Sequence, residues 1–131
     1  MDLEEAAGVG DLDAVRRYVA ADGMLQGGAT RAQLESGFMY ACGYGHAEVA
    51  TYLLDAGVDA NVTNRDGQTA LHWTVYGPHL DIARLLLSRG ARRETRDRQG
   101  ATARDWVMRM AEHRSAPAER ERAEELIALL G

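Results

Sequence analysis

Several residue types are scarce in this chain, and each scarcity excludes a class of structure or chemistry. Among 131 residues there is one cysteine, Cys42, so neither an internal disulfide nor a cysteine-based zinc site can form. All fifteen basic residues are arginine, which excludes a lysine nucleophile or Schiff base. The N-terminal stretch is acidic and unlike a secretory signal, and no apolar run approaches the ~18 residues of a membrane span. We therefore expect a cytoplasmic protein with no membrane partner.

Patterns for catalysis, metal binding and phosphate binding are also missing. The four histidines show neither H-x-x-x-H nor H-E-x-x-H spacing, and the fourteen glycines form no P-loop or G-x-G-x-x-G motif. The neighbouring acids Glu4-Glu5 and Glu124-Glu125 are expected on solvent-facing helix surfaces rather than in a paired-carboxylate site. The sequence thus predicts that the protein is not an enzyme and has no catalytic residue, metal, cofactor or small-molecule substrate.

Charge is unevenly distributed along the chain, although the net charge is −5. Residues 1–63 carry ten acids against three arginines, whereas residues 64–110 carry nine arginines against five acids. The overall acidity argues against nucleic-acid binding, because too few basic residues remain to follow a phosphate backbone. The run SRGARRETRDR, residues 88–98, has two interpretations. It is either a solvated finger paired with its own Glu94 and Asp97, or a docking site for the carboxylates of an acidic protein.

What the sequence does contain is an internal repeat with a period of 33 residues. The pairs at this spacing are His46 and His79, Leu53-Leu54 and Leu86-Leu87, Gly57 and Gly90, Gly67 and Gly100, Thr69 and Thr102, and Trp73 and Trp106. Such a period is typical of stacked helical repeats. Each unit is too small to bury its own apolar faces and must pack against its neighbours.

The clearest unit runs from Asp66 to Ala91 and predicts two short helices. Thr69 is a candidate N-cap for a first helix with the sequence LHWTV. A break at Gly77-Pro78 ends that helix, because proline cannot continue it. The second helix, LDIARLLLSRG, has an apolar side rich in leucine, and Gly90 follows its end, where a left-handed residue is favoured.

These residues resemble the ankyrin repeat, whose motif D-x-x-G-x-T-P-L-H-x-A-A-x-x-G-H is followed by a leucine-rich helix and G-A-D-V-N. Residues 69–72 (TALH) are similar to T-P-L-H, with alanine in place of proline, and residues 57–61 (GVDAN) are similar to G-A-D-V-N. The resemblance implies an all-α fold: an ankyrin-repeat solenoid of stacked helix-turn-helix units with short β-turn fingers.

The resemblance covers almost the whole chain as a single domain, residues 1–131, in about four repeats of which the terminal two resemble caps. The approximate repeats are 1–30, 31–63, 64–96 and 97–131. Met39 stands in place of the signature histidine, and Leu34 stands where a turn glycine is expected. The first finger, MLQGGATRAQLE (residues 24–35), is therefore expected to be irregular. In the fourth repeat the second helix, AERERAEELIALL, arrives late, after the connection HRSAPA.

The resemblance also gives the histidines structural roles. His72 matches the signature histidine, which is expected to hydrogen-bond neighbouring backbone and tie adjacent repeats together. His46 and His79 hold matching places at the start of successive second helices, and His113 falls in the late connection. Cys42 replaces a small core alanine of the signature, so a buried, unreactive thiol is expected.

Aromatic residues recur at matching positions of the repeats. Tyr40, Trp73 and Trp106 each follow the position of the signature histidine, and Tyr44 and Tyr76 lie one helical turn further on. In ankyrin-like proteins the first helices and finger tips build the concave surface, so these aromatics are expected to form a binding stripe. The alternative is that they wedge between first helices and serve stability alone; partner contact is preferred because interface centres favour Trp, Tyr and Arg. The finger residues expected to join the stripe are Arg65, Gln68 and Arg98.

The sequence therefore predicts a protein-protein interaction module that binds another protein through its concave groove and finger tips. A narrower hypothesis is an inhibitor or immunity-type protein, because the chain is small and acidic and has no second domain to recruit anything. The alternative from a different class is a purely structural repeat module or a fragment of a longer ankyrin array. On its own the protein is expected to be a monomer.

Overall fold

The computed structural model describes residues 1–77, 79–112 and 116–131, without the side chain of Tyr76. Its helices, in chain order, are α1 (Leu3–Val9), α2 (Leu12–Arg16), α3 (Arg31–Gly43), α4 (Ala47–Asp55), α5 (Ala70–Trp73), α6 (Leu80–Ser88), α7 (Ala103–Ala111) and α8 (Pro117–Leu130). A single 3-10 turn, Thr74–Tyr76, continues α5. Helices dominate these ranges, with one isolated β-bridge between Val19 and Leu25, so the all-α prediction is confirmed.

Consecutive helices form four pairs that stack in two layers across the described part of the chain. The first helices α1, α3, α5 and α7 pack side by side in one layer, and the second helices α2, α4, α6 and α8 pack in the other. The apolar core lies between the layers. Its largest fully buried side chains include Leu3, Phe38, Leu53, Leu71, Ile82, Leu86 and Leu126.

The second and third fingers fold as matching turns before α5 and α7. Asn64 Oδ1 accepts the backbone N–H groups two and four residues further on, at 2.9 and 3.0 Å. Asp97 Oδ1 accepts the corresponding pair at 3.0 and 2.9 Å. Gly67 and Gly100 have φ of 72° and 81°, values that glycine adopts without steric cost. The 33-residue period therefore reflects a repeated turn as well as a repeated helix pair.

The first finger is irregular, as expected, but it is shorter than the repeat alignment predicts. It turns at Ala20–Gly23, where the Gly23 N–H donates to the Ala20 carbonyl at 2.8 Å. Residues 31–35, which the alignment places in this finger, are instead the first residues of α3. The Thr30 hydroxyl accepts the Gln33 N–H at 3.2 Å and the Gln33 side chain accepts the Thr30 N–H at 3.1 Å. This capping box starts the helix before the point at which the repeat alignment places it.

The ends of the remaining helices agree with the sequence. The first helix of the third unit ends in the 3-10 turn just before Gly77, while Pro78, the other half of the predicted break, lies outside the described residues. Gly90 has a φ of 89° and follows α6, as predicted for a left-handed C-terminal residue. The late helix of the fourth unit is α8; His113 and the two residues after it in the connection lie outside the described residues.

Candidate functional site

One face of α3 is partly open to solvent from its first turn to its C-cap, Tyr44. Ala32, Ser36, Tyr40 and Tyr44 are four residues apart and therefore lie on the same side of the helix. Ala32 and Tyr44 are exposed, whereas Ser36 and Tyr40 are partly buried. We call these four residues the α3 stripe. It borders an open groove on each side.

The first groove lies between α1 and the C-terminal half of α3 and has a volume of about 530 Å³. Tyr40 and Tyr44 form its α3 wall. Its α1 wall is acidic and apolar, with the side chains of Met1, Asp2, Glu4, Glu5 and Val9.

The second groove lies between the N-terminal half of α3 and the second finger and has a volume of about 610 Å³. Ala32, Glu35 and Ser36 line it from the helix, and residues 63–66 line it from the finger. Arg65, one of the predicted binding residues, is exposed there. The early start of α3 supplies the helix wall, so this groove depends on residues that the repeat alignment places in a finger.

Three of the predicted aromatics lie together at the end of α3. The Tyr40 and Tyr44 rings are stacked, with centroids 6.2 Å apart and planes at 21°. Trp73, from α5, packs edge-on against Tyr40 at 5.4 Å. The absence of a side chain at Gly43 makes room for this indole, because a Cβ there would lie 3.0 Å from Trp73 Cε3. Tyr44 is thus the exposed member of an aromatic cluster that also packs two first helices together.

The fourth aromatic, Trp106, has different described neighbours. Its ring packs edge-on against His72 at 5.4 Å, and its Nε1–H donates to Asp97 Oδ2 at 3.0 Å. Asp97 is almost fully buried, yet the pKa of its carboxyl lies below the usual range. The main cause is the hydrogen bond from the Ala101 N–H, with further contributions from Trp106 and Gln99, whereas burial acts in the opposite direction.

The predicted finger residues divide between exposed side chains and turn structure. Arg98 is exposed, and its backbone N–H donates to the Asp66 carbonyl of the preceding finger at 2.8 Å. Gln68 is partly buried, and its Oε1 accepts Asn64 Nδ2–H at 2.9 Å. The Tyr76 side chain, also predicted to bind, lies outside the described residues.

The signature histidine ties two repeats together, as the resemblance implied. His72 Nδ1 accepts the Thr69 N–H at 3.0 Å, so its other nitrogen carries the proton. That Nε2–H donates to the Ala101 carbonyl of the next finger at 2.9 Å. His46 and His79 instead bond to the preceding repeat. Their Nε2 atoms lie 3.0 Å from the carbonyl oxygens of Gly8 and Gly43, respectively. These side chains are therefore occupied in stacking.

One of the two interpretations of the arginine-rich finger required its arginines to pair with Asp97, and the described residues show no such ion pair. The Asp97 carboxylate instead accepts hydrogen bonds from Trp106 and from its own turn. In the described part of the chain the ion pairs are Arg16–Asp13 and Arg89–Asp55, and neither involves Glu94. Two other arginines bond to carbonyl oxygens, Arg93 to Leu129 and Arg96 to Gly100.

Groups capable of covalent or metal chemistry are not assembled in the described ranges. Burial raises the pKa of the Cys42 thiol and so keeps it protonated. Within residues 1–77, 79–112 and 116–131, no cluster of three or more His, Cys, Asp or Glu side chains is placed to hold a metal ion. None of the helices described is both long and apolar enough to cross a membrane.

Sequence reasoning missed the α1 wall of the first groove. The buried face of α1 is Leu3, Ala6 and Ala7, which leaves Val9 as an apolar residue off that face. This valine is the one signal that the sequence offers for the wall. The first unit resembles a terminal repeat, so the motif predicts a cap there and not a binding surface.

Comparison with known families agrees with this architecture. A family model of ankyrin repeats, in three copies, matches residues 3–105. A search among curated proteins finds no match to the chain. Ankyrin repeats are generally non-catalytic modules that bind other proteins. The match spans the first three helix pairs and the start of the fourth, well over half of the chain, and this protein therefore belongs to the ankyrin-repeat family.

Proposed function

We propose that this protein binds a partner protein across its layer of first helices, with the α3 stripe as the floor of the site and the second finger as one wall. The observation that carries the proposal is that this stripe is open between two grooves, although the helix beneath it is packed into the stack on both sides. Protein binding is the general role of the family.

The proposed mechanism is recognition by a rigid surface. Histidine hydrogen bonds and shared aromatic packing order the repeats before a partner arrives, so little conformational entropy is lost on binding. Tyr44 and Arg65 are proposed to contact the partner directly, because both are exposed at the grooves. Tyr40 and Trp73 support Tyr44 from within the stack. The remaining candidate contacts are Gln68, Tyr76, Arg98 and Trp106.

Substitutions at the two exposed residues test the proposal. The partner is first captured from the native host by crosslinking and identified by mass spectrometry. The Y44A and R65A variants should each weaken its binding about tenfold or more, as expected for residues at an interface centre. Isothermal titration with the purified partner measures the effect, and thermal melts should match those of the wild type.

Matched controls remove side chains outside both grooves. Met24 is exposed in the first finger and Arg84 on the second helix α6, so M24A and R84A should leave the affinity unchanged. Equal losses in all four variants would contradict the proposal. The proposal includes a cytoplasmic location and a monomeric state of the protein on its own. The narrower inhibitory role requires in addition that mixing the two proteins abolishes an activity of the partner.

A further inference from the structure

Exposed apolar surface is concentrated in the first groove. In the described part of the chain the large apolar or aromatic side chains most open to solvent are Met1, Val9, Met24, Tyr44 and Met108. Three of them line this one groove: Met1 is 66% exposed, and Val9 and Tyr44 are each 62% exposed. Such clustering is typical of a binding surface, whereas isolated exposed apolar residues are not.

The same groove is bordered by acids. Asp2, Glu4 and Glu5 lie on its α1 wall, and no arginine is among the described residues that line it. Asp2 caps α1 because its carboxylate accepts the Glu5 backbone N–H at 2.9 Å. The side-chain carboxylates of Glu4 and Glu5 take no part in that hydrogen bond. The ion pair described in this unit joins Arg16 and Asp13, neither of which lines the groove. The charged side chains described at the rim are therefore all acidic.

The aromatic wall, like the acids, favours a positively charged ligand. The stacked rings of Tyr40 and Tyr44 line the groove together. The face of an aromatic ring attracts a cation, most strongly where water is partly excluded. Carboxylates and ring faces thus select a basic side chain, while Met1 and Val9 select an apolar one.

We propose that the first groove binds a segment of the partner in which arginine or lysine side chains are interspersed with apolar ones. This inference rests on the proposed function and adds the chemistry of the bound segment. A groove of about 530 Å³ lies within the size range of sites for small ligands, so it seats a few side chains rather than a folded domain. The charge of the rim is the feature that chooses the segment.

A peptide selection tests the inference even before the partner is identified. A random peptide library is panned against the wild-type protein, and the affinity of the enriched peptides is measured by fluorescence anisotropy. The enriched peptides should be rich in arginine or lysine with apolar neighbours and poor in acids. The E4Q/E5Q variant, which keeps side-chain size, should weaken them about tenfold, and added salt should weaken wild-type binding.

The chain offers a matched control at its other end. Glu124 and Glu125 are a second pair of adjacent, exposed acids on α8, so E124Q/E125Q makes the same charge change away from the groove. This control should leave the affinity unchanged, and thermal melts of both double variants should confirm that they are folded. The Y44A variant reports separately on the aromatic wall.

Each contrary result has a distinct meaning. If nothing is enriched, if the peptides are acidic or neutral, or if E124Q/E125Q weakens them as much as E4Q/E5Q does, the inference is overturned. If Y44A weakens binding and E4Q/E5Q does not, the inference fails while the proposed function stands. If Y44A and R65A also leave capture of the native partner intact, both fail. Sedimentation that shows self-association abolished by E4Q/E5Q would make a second copy the occupant and overturn the inference.

Discussion

Trp73 and Trp106 occupy equivalent positions in adjacent repeats but have different neighbours. Trp106 donates to the Asp97 carboxylate, which begins the turn before α7. The equivalent turn residue in the preceding repeat is Asn64, whose Nδ2–H donates to Gln68 Oε1 at 2.9 Å. The change from asparagine to aspartate at the start of the turn supplies a carboxylate oxygen to the indole of one repeat. Equivalence in the repeat therefore predicts where an aromatic lies and not what it bonds.

Asp97 should contribute to stability through this bond. Its carboxylate accepts N–H groups from its own turn and from Trp106, and hydrogen bonds to a charged acceptor are stronger than neutral ones. We expect D97N to lower the free energy of unfolding at neutral pH by about 1–3 kcal/mol, measured by urea denaturation. Asp66, an exposed acid of the preceding finger, provides the control, and D66N should have little effect.

The loss of unfolding free energy in D97N should depend on pH. The pKa of the Asp97 carboxyl is lower in the folded chain than the roughly 3.9 expected when it is unfolded. Its stabilising effect is therefore complete above about pH 5, one unit above the unfolded pKa, and is lost as the pH falls through the folded-state pKa. The difference between wild type and D97N should be largest at neutral pH and shrink below about pH 5. A difference that stays constant with pH would show that the charge does not matter.

Among single residues, the motif predicted the hydrogen-bonding role of His72, but it predicted only some of the residues that line the grooves. His72 accepts a hydrogen bond from the Thr69 backbone at the start of its own helix and donates one to the Ala101 carbonyl of the next repeat. Exposure at the groove depends on which side of a helix faces a neighbouring unit, and the spacing of the aromatics does not contain that information.

At the scale of elements, α3 shows why the repeat alignment failed in one place. A leucine at position 34 cannot take the left-handed conformation of the turn glycines Gly67 and Gly100 without steric cost. The chain is helical there instead, and Thr30 with Gln33 supplies the helix start. As a result α3 has 13 residues, whereas α5 has 4 before its 3-10 turn. The capping box is visible in the sequence, but the 33-residue period conceals it.

The Thr30 cap should be necessary for this extension. We expect T30A to lower the free energy of unfolding by about 1 kcal/mol, because the Gln33 N–H loses its acceptor, and T30S to retain most of the wild-type value. Urea denaturation measures both. Thr63 is exposed in the second finger and serves as the control position. A loss in T63A equal to that in T30A would mean that the cap is not the cause.

At the scale of the whole molecule, one histidine bonds across each junction between units. His46 joins the second unit to the first, His79 joins the third to the second, and His72 joins the third to the fourth. In the fourth unit Asp105 stands in place of the signature histidine, and its carboxylate accepts the Thr102 N–H at 2.9 Å. It keeps the local cap and does not extend to another repeat. The period predicted this stacking, because the stack repeats what each unit contains.

Because each unit packs mainly against its neighbours, unfolding should spread from the ends of the stack. Leu126 of α8 is fully buried where α8 packs on α6 and α7. We expect L126A to cost about 2–5 kcal/mol locally, because it leaves a cavity in the last unit. In a stack whose stability is the sum of unit and junction terms, amide hydrogen exchange should accelerate strongly in α7 and α8, less in α5 and α6, and little in α1. Leu3 of α1, equally buried, allows the mirror experiment, in which L3A should produce the opposite gradient. The same acceleration in every helix for both variants would instead mean that the four units open together, and the junctions would then be stronger than the units they join.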